Sequence, residues 1–180
     1  MVFGCVLEGE RVRLRPVEED DLPHFVTWFN DKEVRRWLAM SEMPLLTPES
    51  EREWYQKMRE DPSCVIWCIE SEEGRPIGDV GLGLIDKTHK RAELGISIGD
   101  QALWGRGLGT DAIQRVLRYA FDELALRRVQ LYVDEDNVRG IRCYEKCGFV
   151  REGLLRNYRL REGKPVNEVV MAVLRDEFET

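Results

Sequence analysis

Long apolar runs, paired cysteine motifs and histidines are scarce in this sequence of 180 residues. No apolar stretch approaches the roughly 18 residues of a membrane-spanning helix, and the N-terminus lacks the basic, apolar and small-residue order of a secretory signal. The five cysteines include no Cys-x-x-Cys pair, and their odd number does not suit a secreted disulfide framework. We therefore expect a soluble, cytoplasmic protein with no membrane partner, in which Cys64, Cys68, Cys143 and Cys147 are buried or half-buried thiols.

Histidines are few, and acidic residues outnumber basic ones. The only histidines are His24 and His89, so the sequence predicts no metal site. The formal net charge is −7, whereas a nucleic-acid partner requires a concentrated basic face. The sequence therefore predicts no nucleic-acid partner and mildly favours a cationic one.

The length and composition predict one domain over residues 1–180, because 43% hydrophobic positions supply a core and the chain is short for two domains. Hydrophobic periodicity predicts a mixed α/β order. The strands at 64–70, 76–85 and 91–99 have short links and predict an antiparallel meander, and the strand–helix–strand order that follows predicts a parallel pair. The other strands are expected at 11–15, 128–134, 149–160 and 164–174. Helices are expected to start near residues 20, 34, 47 and 138, with a further helix within 104–124.

A glycine-rich loop runs directly into an amphipathic helix at residues 104–124, WGRGLGTDAIQRVLRYAFDEL. Gly105, Gly107 and Gly109 allow the backbone to turn and a ligand to approach, and the helix adds its unpaired N–H groups and the positive end of its dipole. This arrangement predicts an anion site, although a plain turn before a core helix would give the same pattern. The apolar stripe comprises Ile113, Val116, Leu117, Ala120, Phe121 and Leu124, with Asp111 expected on the exposed side.

Three phosphate-bearing ligands compete for this loop. A nucleotide P-loop needs Gly-Lys-Ser/Thr, which is absent. Gly107, Gly109 and Ala112 match the dinucleotide fingerprint, but a meander precedes them and Asp134 lies too far along the chain. The third ligand is the pyrophosphate of coenzyme A.

Residues 101–110, QALWGRGLGT, resemble the acetyl-CoA loop of the GNAT superfamily of N-acetyltransferases, and AELGISIGD from Ala92 resembles that family's fourth strand. Residues 137–149, NVRGIRCYEKCGF, are similar to its Asn…Tyr-x-Lys-x-Gly-Phe segment. The resemblance covers 77–174 well and the N-terminal third only by element order. Many members carry Gln or Arg where this chain has Trp104, but Trp-Gly-Arg-Gly resembles the branch with ribosomal-protein N-terminal and spermidine acetyltransferases.

The resemblance implies a mixed α/β, GNAT-like fold: a central, mostly antiparallel sheet with one parallel pair splayed around the cofactor and flanked by helices. It implies transfer of an acetyl group from acetyl-CoA to a primary amine, on a protein N-terminus or a polyamine-like acceptor, without a metal. An aminoglycoside or other small-molecule acetyltransferase stays open because residues 141–149 also resemble that group. A non-catalytic acyl-CoA sensor is a further alternative, and a dinucleotide-binding oxidoreductase a remote one. A homodimer is compatible with the family.

The resemblance also implies roles for individual residues. Main-chain groups of Ile96 and Ile98 would pair with the pantetheine arm of the cofactor. The pyrophosphate would be held by backbone N–H groups of Arg106, Gly107, Leu108, Gly109 and Thr110.

Three side chains are candidates for the chemistry near the thioester. Tyr144 is the candidate general acid for the leaving thiolate, or else an ordinary helix tyrosine. Asn137 either contacts the cofactor arm or caps the helix that follows it. Glu93 is the candidate base, acting directly or through a water, unless it pairs with Arg91 or Arg128. Walls for the acceptor would come from Trp28, Trp37, Trp54, Asn157 and Tyr158.

Overall fold

A computed structural model describes residues 4–178, in which eight strands form one sheet in the order β1-β2-β3-β4-β5-β6-β8-β7. Short links between successive strands, with turn residues such as Gly74 and Gly163 at positive φ, explain why most neighbours are antiparallel. The strands are β1 Leu7–Glu8, β2 Val12–Pro16, β3 Val65–Ser71, β4 Pro76–Asp86, β5 Arg91–Ile98, β6 Arg128–Asp134, β7 Val150–Arg161 and β8 Lys164–Leu174.

Five α-helices flank this sheet within residues 4–178. The predicted start of the third is confirmed, because the Thr47 hydroxyl accepts a hydrogen bond from the backbone N–H of Ser50 at 3.1 Å and Pro48 follows. The helices are α1 Leu22–Asn30, α2 Lys32–Trp37, α3 Pro48–Glu60, α4 Leu108–Arg118 and α5 Val138–Lys146. A π-helical turn, Tyr119–Glu123, extends α4.

The predicted parallel pair is confirmed between β5 and β6, which α4 connects. Every other neighbouring pair of strands in residues 4–178 is antiparallel. The fold is therefore the mixed α/β arrangement expected from the sequence, with the predicted meander as β3, β4 and β5. The short strand β1 was not predicted, since two residues carry no periodic signal.

The two faces of the sheet are packed differently. On one face, alternate strand residues such as Val80 and Leu94 pack with the buried stripe of α4 to form the main core. On the other face, α1 and α3 enclose a smaller cluster that includes Phe25, Tyr55 and Cys68. No helix within residues 4–178 is both long and apolar enough to cross a membrane.

Candidate active site

The loop between β5 and α4 has a backbone path that depends on glycine. Gly105 and Gly107 have φ values of 76° and 84°, in the left-handed region that side chains disfavour. The indole N–H of Trp104 donates to the main-chain oxygen of Ile98 at 2.6 Å, which ties the start of the loop to the end of β5. These features fix the path of the loop next to the end of β5.

The first turn of α4 presents free backbone donors to this loop. The first helical hydrogen bond joins Asp111 N to Gly107 O at 3.1 Å, so the preceding N–H groups of Leu108, Gly109 and Thr110 have no carbonyl partner inside the helix. The helix dipole adds positive potential at the same point. The predicted anion-binding geometry is therefore present at this helix terminus.

Gly109 does not make the turn that the sequence predicted for it. It lies within the first turn of α4 and has no left-handed φ. A Cβ at this position would lie 3.7 Å from Ile96 Cδ1 and 3.8 Å from Cys143 Sγ. These are ordinary contact distances, so packing does not require glycine at this position. Gly105 and Gly107 make the turn.

Asp111 is buried, so the prediction that it faces solvent is wrong. Its Oδ2 accepts hydrogen bonds from the backbone N–H groups of Arg11 at 2.8 Å and Val12 at 3.1 Å. The Arg11 guanidinium in turn donates to the main-chain oxygen of Arg106. The start of β2 therefore fastens both the loop and the helix, a contact about a hundred residues away in sequence that periodicity cannot reveal.

The strands β5 and β6 separate after a short paired stretch. Their ladder runs only from Arg91 to Glu93 on β5. Gly99 N donates to Ile77 O on the β4 side at 2.9 Å, so by alternation the main-chain groups of Ile96 and Ile98 point towards β6. Because β6 has separated from β5 there, these groups face the gap between the two strands. Of these groups, only the Ile98 oxygen accepts a hydrogen bond from Trp104.

Asn137 caps α5, as one of its two predicted roles requires. Its Oδ1 accepts a hydrogen bond from Gly140 N at 2.9 Å. A Cβ on Gly140 would lie only 2.8 Å from Asn137 Nδ2, which explains the glycine at this position. The cap uses the oxygen of the amide and leaves its N–H₂ group available to a ligand.

Tyr144 lies on α5, half-buried, with its ring 6.0 Å from that of Phe149 in an edge-on contact. Burial, with the nearby thiols of Cys143 and Cys147, raises the pKa of the Tyr144 phenol above its ordinary value. The phenol therefore stays protonated at neutral pH and can donate its proton. No other residue among 4–178 forms a hydrogen bond with this hydroxyl.

One cavity of about 480 Å³ brings most of the predicted residues together. It lies between the loop, the first turn of α4, the free edge of β5 and the buried side of α5. Trp37 of α2 closes one side. The predicted residues that line it are Ile96, Ile98, Arg106, Gly107, Leu108, Gly109, Thr110, Asn137 and Tyr144.

Among the residues predicted for catalysis or cofactor binding, Glu93 is the one that does not line this cavity. It lies on β5, half-buried, with its side chain on the opposite face of the sheet from Ile96, and burial raises the pKa of its carboxyl. Neither expected arginine pairs with it. Arg91 lies 3.5 Å from Asp86, and Arg128 lies 2.6 Å from Glu152.

Several cavity residues were missed by the sequence analysis. The Arg139 guanidinium lies 3.7 Å from the centre of the Trp104 ring, in a cation–π contact. Arg142 and Lys146 add positive charge on the same side of α5, and Ser97 lines the cavity from β5. The spacing of 139, 142 and 146 on one helical face was a usable signal, whereas the place of Ser97 depends on the strand gap.

Comparison with known proteins places this geometry in a family. Residues 11–150 match the family model described as Acetyltransferase (GNAT) domain. This chain is a GNAT acetyltransferase. The resemblance seen in the glycine loop and in the segment from Asn137 is thereby confirmed, and so is the GNAT fold.

Relatives of this GNAT protein include named N-acetyltransferases. The spermidine N(1)-acetyltransferase of Escherichia coli K12 is 31% identical over 167 residues, covering 93% of this chain and 88% of the relative. An uncharacterized N-acetyltransferase of Bacillus licheniformis, p20, is 28% identical and covers 96% and 97%. The structure of Vibrio cholerae spermidine N-acetyltransferase with CoA and spermine has a TM-score of 0.86 at 28% identity, covering 92% of this chain and 96% of that one. The chain is therefore an N-acetyltransferase by family.

The five residues predicted as acceptor walls of this GNAT protein do not share one surface. Trp37 lines the main cavity, whereas Trp28 stacks on His24 at 5.5 Å and Trp54 meets Phe25 edge-on at 6.1 Å. Asn157 and Tyr158 border a separate surface recess on β7. Residues 4–178 contain no group of three or more histidines, cysteines or acids placed to hold a metal ion.

Proposed function

We propose that this protein transfers the acetyl group of acetyl-CoA to a primary amine, on a polyamine-like molecule or a protein N-terminus, by direct attack of the amine on the thioester. The observation that carries the proposal is the single cavity in which free N–H groups of α4, free main-chain groups of β5 and the Tyr144 hydroxyl converge. The N–H groups of α4 suit the pyrophosphate of acetyl-CoA, the main-chain groups of β5 suit the amides of its pantetheine arm, and the Tyr144 hydroxyl suits the leaving thiolate.

The residues present fit coenzyme A in chemical type. The backbone from Arg106 to Thr110 offers N–H donors to a pyrophosphate, because the first turn of α4 leaves them unpaired. Ile96 offers a free main-chain N–H and C=O to the amides of the pantetheine arm, and the Asn137 N–H₂ group supplies one more donor. The cations of Arg139, Arg142 and Lys146 suit the remaining phosphate charge.

The proposed chemistry assigns one proton to each of two residues. The amine nitrogen forms a bond to the acetyl carbon, the carbon–sulfur bond breaks, and Tyr144 donates its proton to the departing sulfur. Glu93 accepts the proton of the attacking amine, directly or through a water. The raised pKa of the Glu93 carboxyl supports its role as base, since a stronger base is better matched to this proton.

The cationic acceptor is supported by charge and by similarity. The net charge of −7 favours the approach of cations. The Escherichia coli and Vibrio cholerae relatives are named for spermidine, and the Vibrio cholerae structure holds spermine. We therefore place linear amines ahead of aminoglycosides as acceptors.

Release of free thiol from acetyl-CoA tests the proposal. The full chain would be incubated with acetyl-CoA and, separately, with a linear polyamine, an N-terminal peptide and an aminoglycoside, while thiol release and the acetylated product are measured. We expect amine-dependent thiol release that is matched by an acetylated amine. Cofactor binding without turnover on any amine would overturn the proposal in favour of an acyl-CoA sensor.

A further inference from the structure

A pair of carboxylates without a cation partner lies on the sheet face opposite the cofactor loop. Asp79 of β4 is directly opposite Ser97 of β5 in the antiparallel ladder, so their side chains share one face. That face is turned away from Ile96 and Ile98, whose side chains pack on the α4 side. Glu51, in the first turn of α3, is buried against the same face and close enough for its charge to raise the pKa of Asp79.

Glu51 differs from every other buried acid in residues 4–178. It is 5% exposed, and its side-chain carboxylate forms no hydrogen bond or ion pair with another described residue. The other five buried acids all have arginine or backbone N–H partners. These five are Asp21, Glu70, Asp111, Asp134 and Glu168.

Two further polar atoms on this face of the sheet lack hydrogen-bond partners among the described residues. The atoms Asp79 Oδ1 and Ser97 Oγ are shielded from solvent and have no hydrogen-bond partner among the described residues. Ser97 as a whole is 8% exposed. Ser97 is also among the residues that line the main cavity, so this group lies on the strand that borders that cavity. Burial followed by the charge of Glu51 raises the pKa of the Asp79 carboxyl to about 7. Two carboxyls without a cation partner, with the Ser97 hydroxyl beside Asp79, form a set of acceptors for a ligand that donates N–H bonds and carries positive charge.

The space along β5 suits an extended ligand. Glu93, Gly95 and Ser97 alternate onto the same face, and nothing lies within 4 Å of the position that a Cβ on Gly95 would occupy. Glu93 and Ser97 are separated by four residues, or roughly 13 Å along an extended strand. A nitrogen held at Glu93 therefore cannot also reach Asp79 and Glu51.

We propose that Glu51, Asp79 and Ser97 form a subsite for a second, non-reacting cationic nitrogen of the acceptor. The acceptor is then a linear diamine or longer polyamine whose two nitrogens are separated by on the order of 10 Å. One ammonium donates its N–H bonds to the two carboxylates and the hydroxyl, while the other nitrogen is acetylated. This inference rests on the proposed function, because it locates part of the acceptor of the same reaction.

Matched amines test the subsite. We would measure kcat/KM for a linear α,ω-diamine and for the monoamine of equal length, in the wild type and in Asp79→Asn, Glu51→Gln and Ser97→Ala. Glu53→Gln is the control, since Glu53 is an exposed acid on the same helix. We expect the diamine-to-monoamine ratio of kcat/KM to fall about ten-fold or more in Asp79→Asn and Glu51→Gln, as for loss of a charge-assisted contact, and less in Ser97→Ala. The ratio should stay within about two-fold in Glu53→Gln.

Two outcomes would overturn the subsite. The first is an unchanged ratio in both acid variants, with melting temperatures that show each is folded. The second is an equal loss of activity on diamine and monoamine, which would assign the acids to general support of the site. If neither amine is turned over, the proposed function fails, and calorimetric titration with the diamine alone decides the subsite. Binding to the wild type no tighter than to Asp79→Asn would then exclude it.

Discussion

Replacing Asp79 by asparagine should stabilise the protein at alkaline pH. Burial, and then the charge of Glu51, raises the pKa of Asp79 from 3.8 to about 7. A carboxyl whose pKa is raised by folding binds its proton more tightly in the folded state, so its contribution to stability is fully present below about pH 3.8 and is lost as the pH rises through about 7. Asparagine has nearly the same shape and never acquires the charge.

The size of the effect follows from the pKa difference. About three pKa units correspond to ~4 kcal/mol at about 1.36 kcal/mol per unit. The residue as a whole keeps some contact with solvent, which lowers this figure. We therefore expect the free energy of unfolding of Asp79→Asn to exceed that of the wild type by about 2–4 kcal/mol at pH 8 and by much less at pH 5.

Urea denaturation followed by tryptophan fluorescence at pH 5 and pH 8 measures this difference. The exposed variant Glu53→Gln serves as the control and should shift little at either pH. A lower stability of Asp79→Asn than of the wild type at pH 8 would refute the reasoning, because it would mean that the ionised carboxylate is stabilised in the folded protein. Together with a loss of diamine binding, a gain in stability is typical of a site that trades stability for function.

Three further substitutions test the site and its support. Tyr144→Phe should lower kcat by about 10²-fold or more while the Kd for acetyl-CoA changes little, because the ring stays and only the proton donor is lost; an unchanged kcat in thiol-release assays would remove Tyr144 from the mechanism. Gly107→Ala should lower the melting temperature and weaken binding of acetyl-CoA, since alanine at φ 84° is strained by about 1–2 kcal/mol; equal stability and affinity would contradict the assigned backbone role. Asp111→Ala should reduce the free energy of unfolding by about 2–4 kcal/mol, because the N–H groups of Arg11 and Val12 lose their buried acceptor; a urea midpoint equal to that of the wild type would count against this anchor.

Local patterns predicted the element order well. The bounds of β6 and β8 and the start of α5 agree with the predictions, since each element has a clear period. Gly148 follows α5 and Gly163 precedes β8, both at positive φ. The parallel pair followed from the order strand, helix, strand. These signals come from residues that are neighbours in sequence, so they can be recognised without any knowledge of the tertiary structure.

Contacts between distant segments could not be predicted in the same way. The helical period assigned Asp111 to the exposed face, yet β2, about a hundred residues earlier, covers it and offers two N–H donors. The pairing of Asp79 with Ser97 depends on the register of β4 against β5, and the approach of Glu51 depends on where α3 lies on the sheet. None of these residues carries a local signal for its role.

Part of the candidate site could be predicted from the sequence. The glycine loop and the segment from Asn137 to Tyr144 identified the cavity because both are short, continuous motifs. The sequence could not choose between helix capping and cofactor contact for Asn137. The structure shows that its side-chain oxygen caps α5, while its N–H₂ group stays available to a ligand. Glu93 remains a predicted base, located on the opposite face of the sheet from Ile96 and outside the cavity.

Calorimetric titration of the full chain with acetyl-CoA tests the central claim most directly. A cavity built from the free N–H groups of α4 and the separated edge of β5 should bind acetyl-CoA with one site per chain, and Gly107→Ala should bind it more weakly. The absence of any binding up to millimolar concentration, with the protein folded, would contradict the assignment of this cavity to acetyl-CoA.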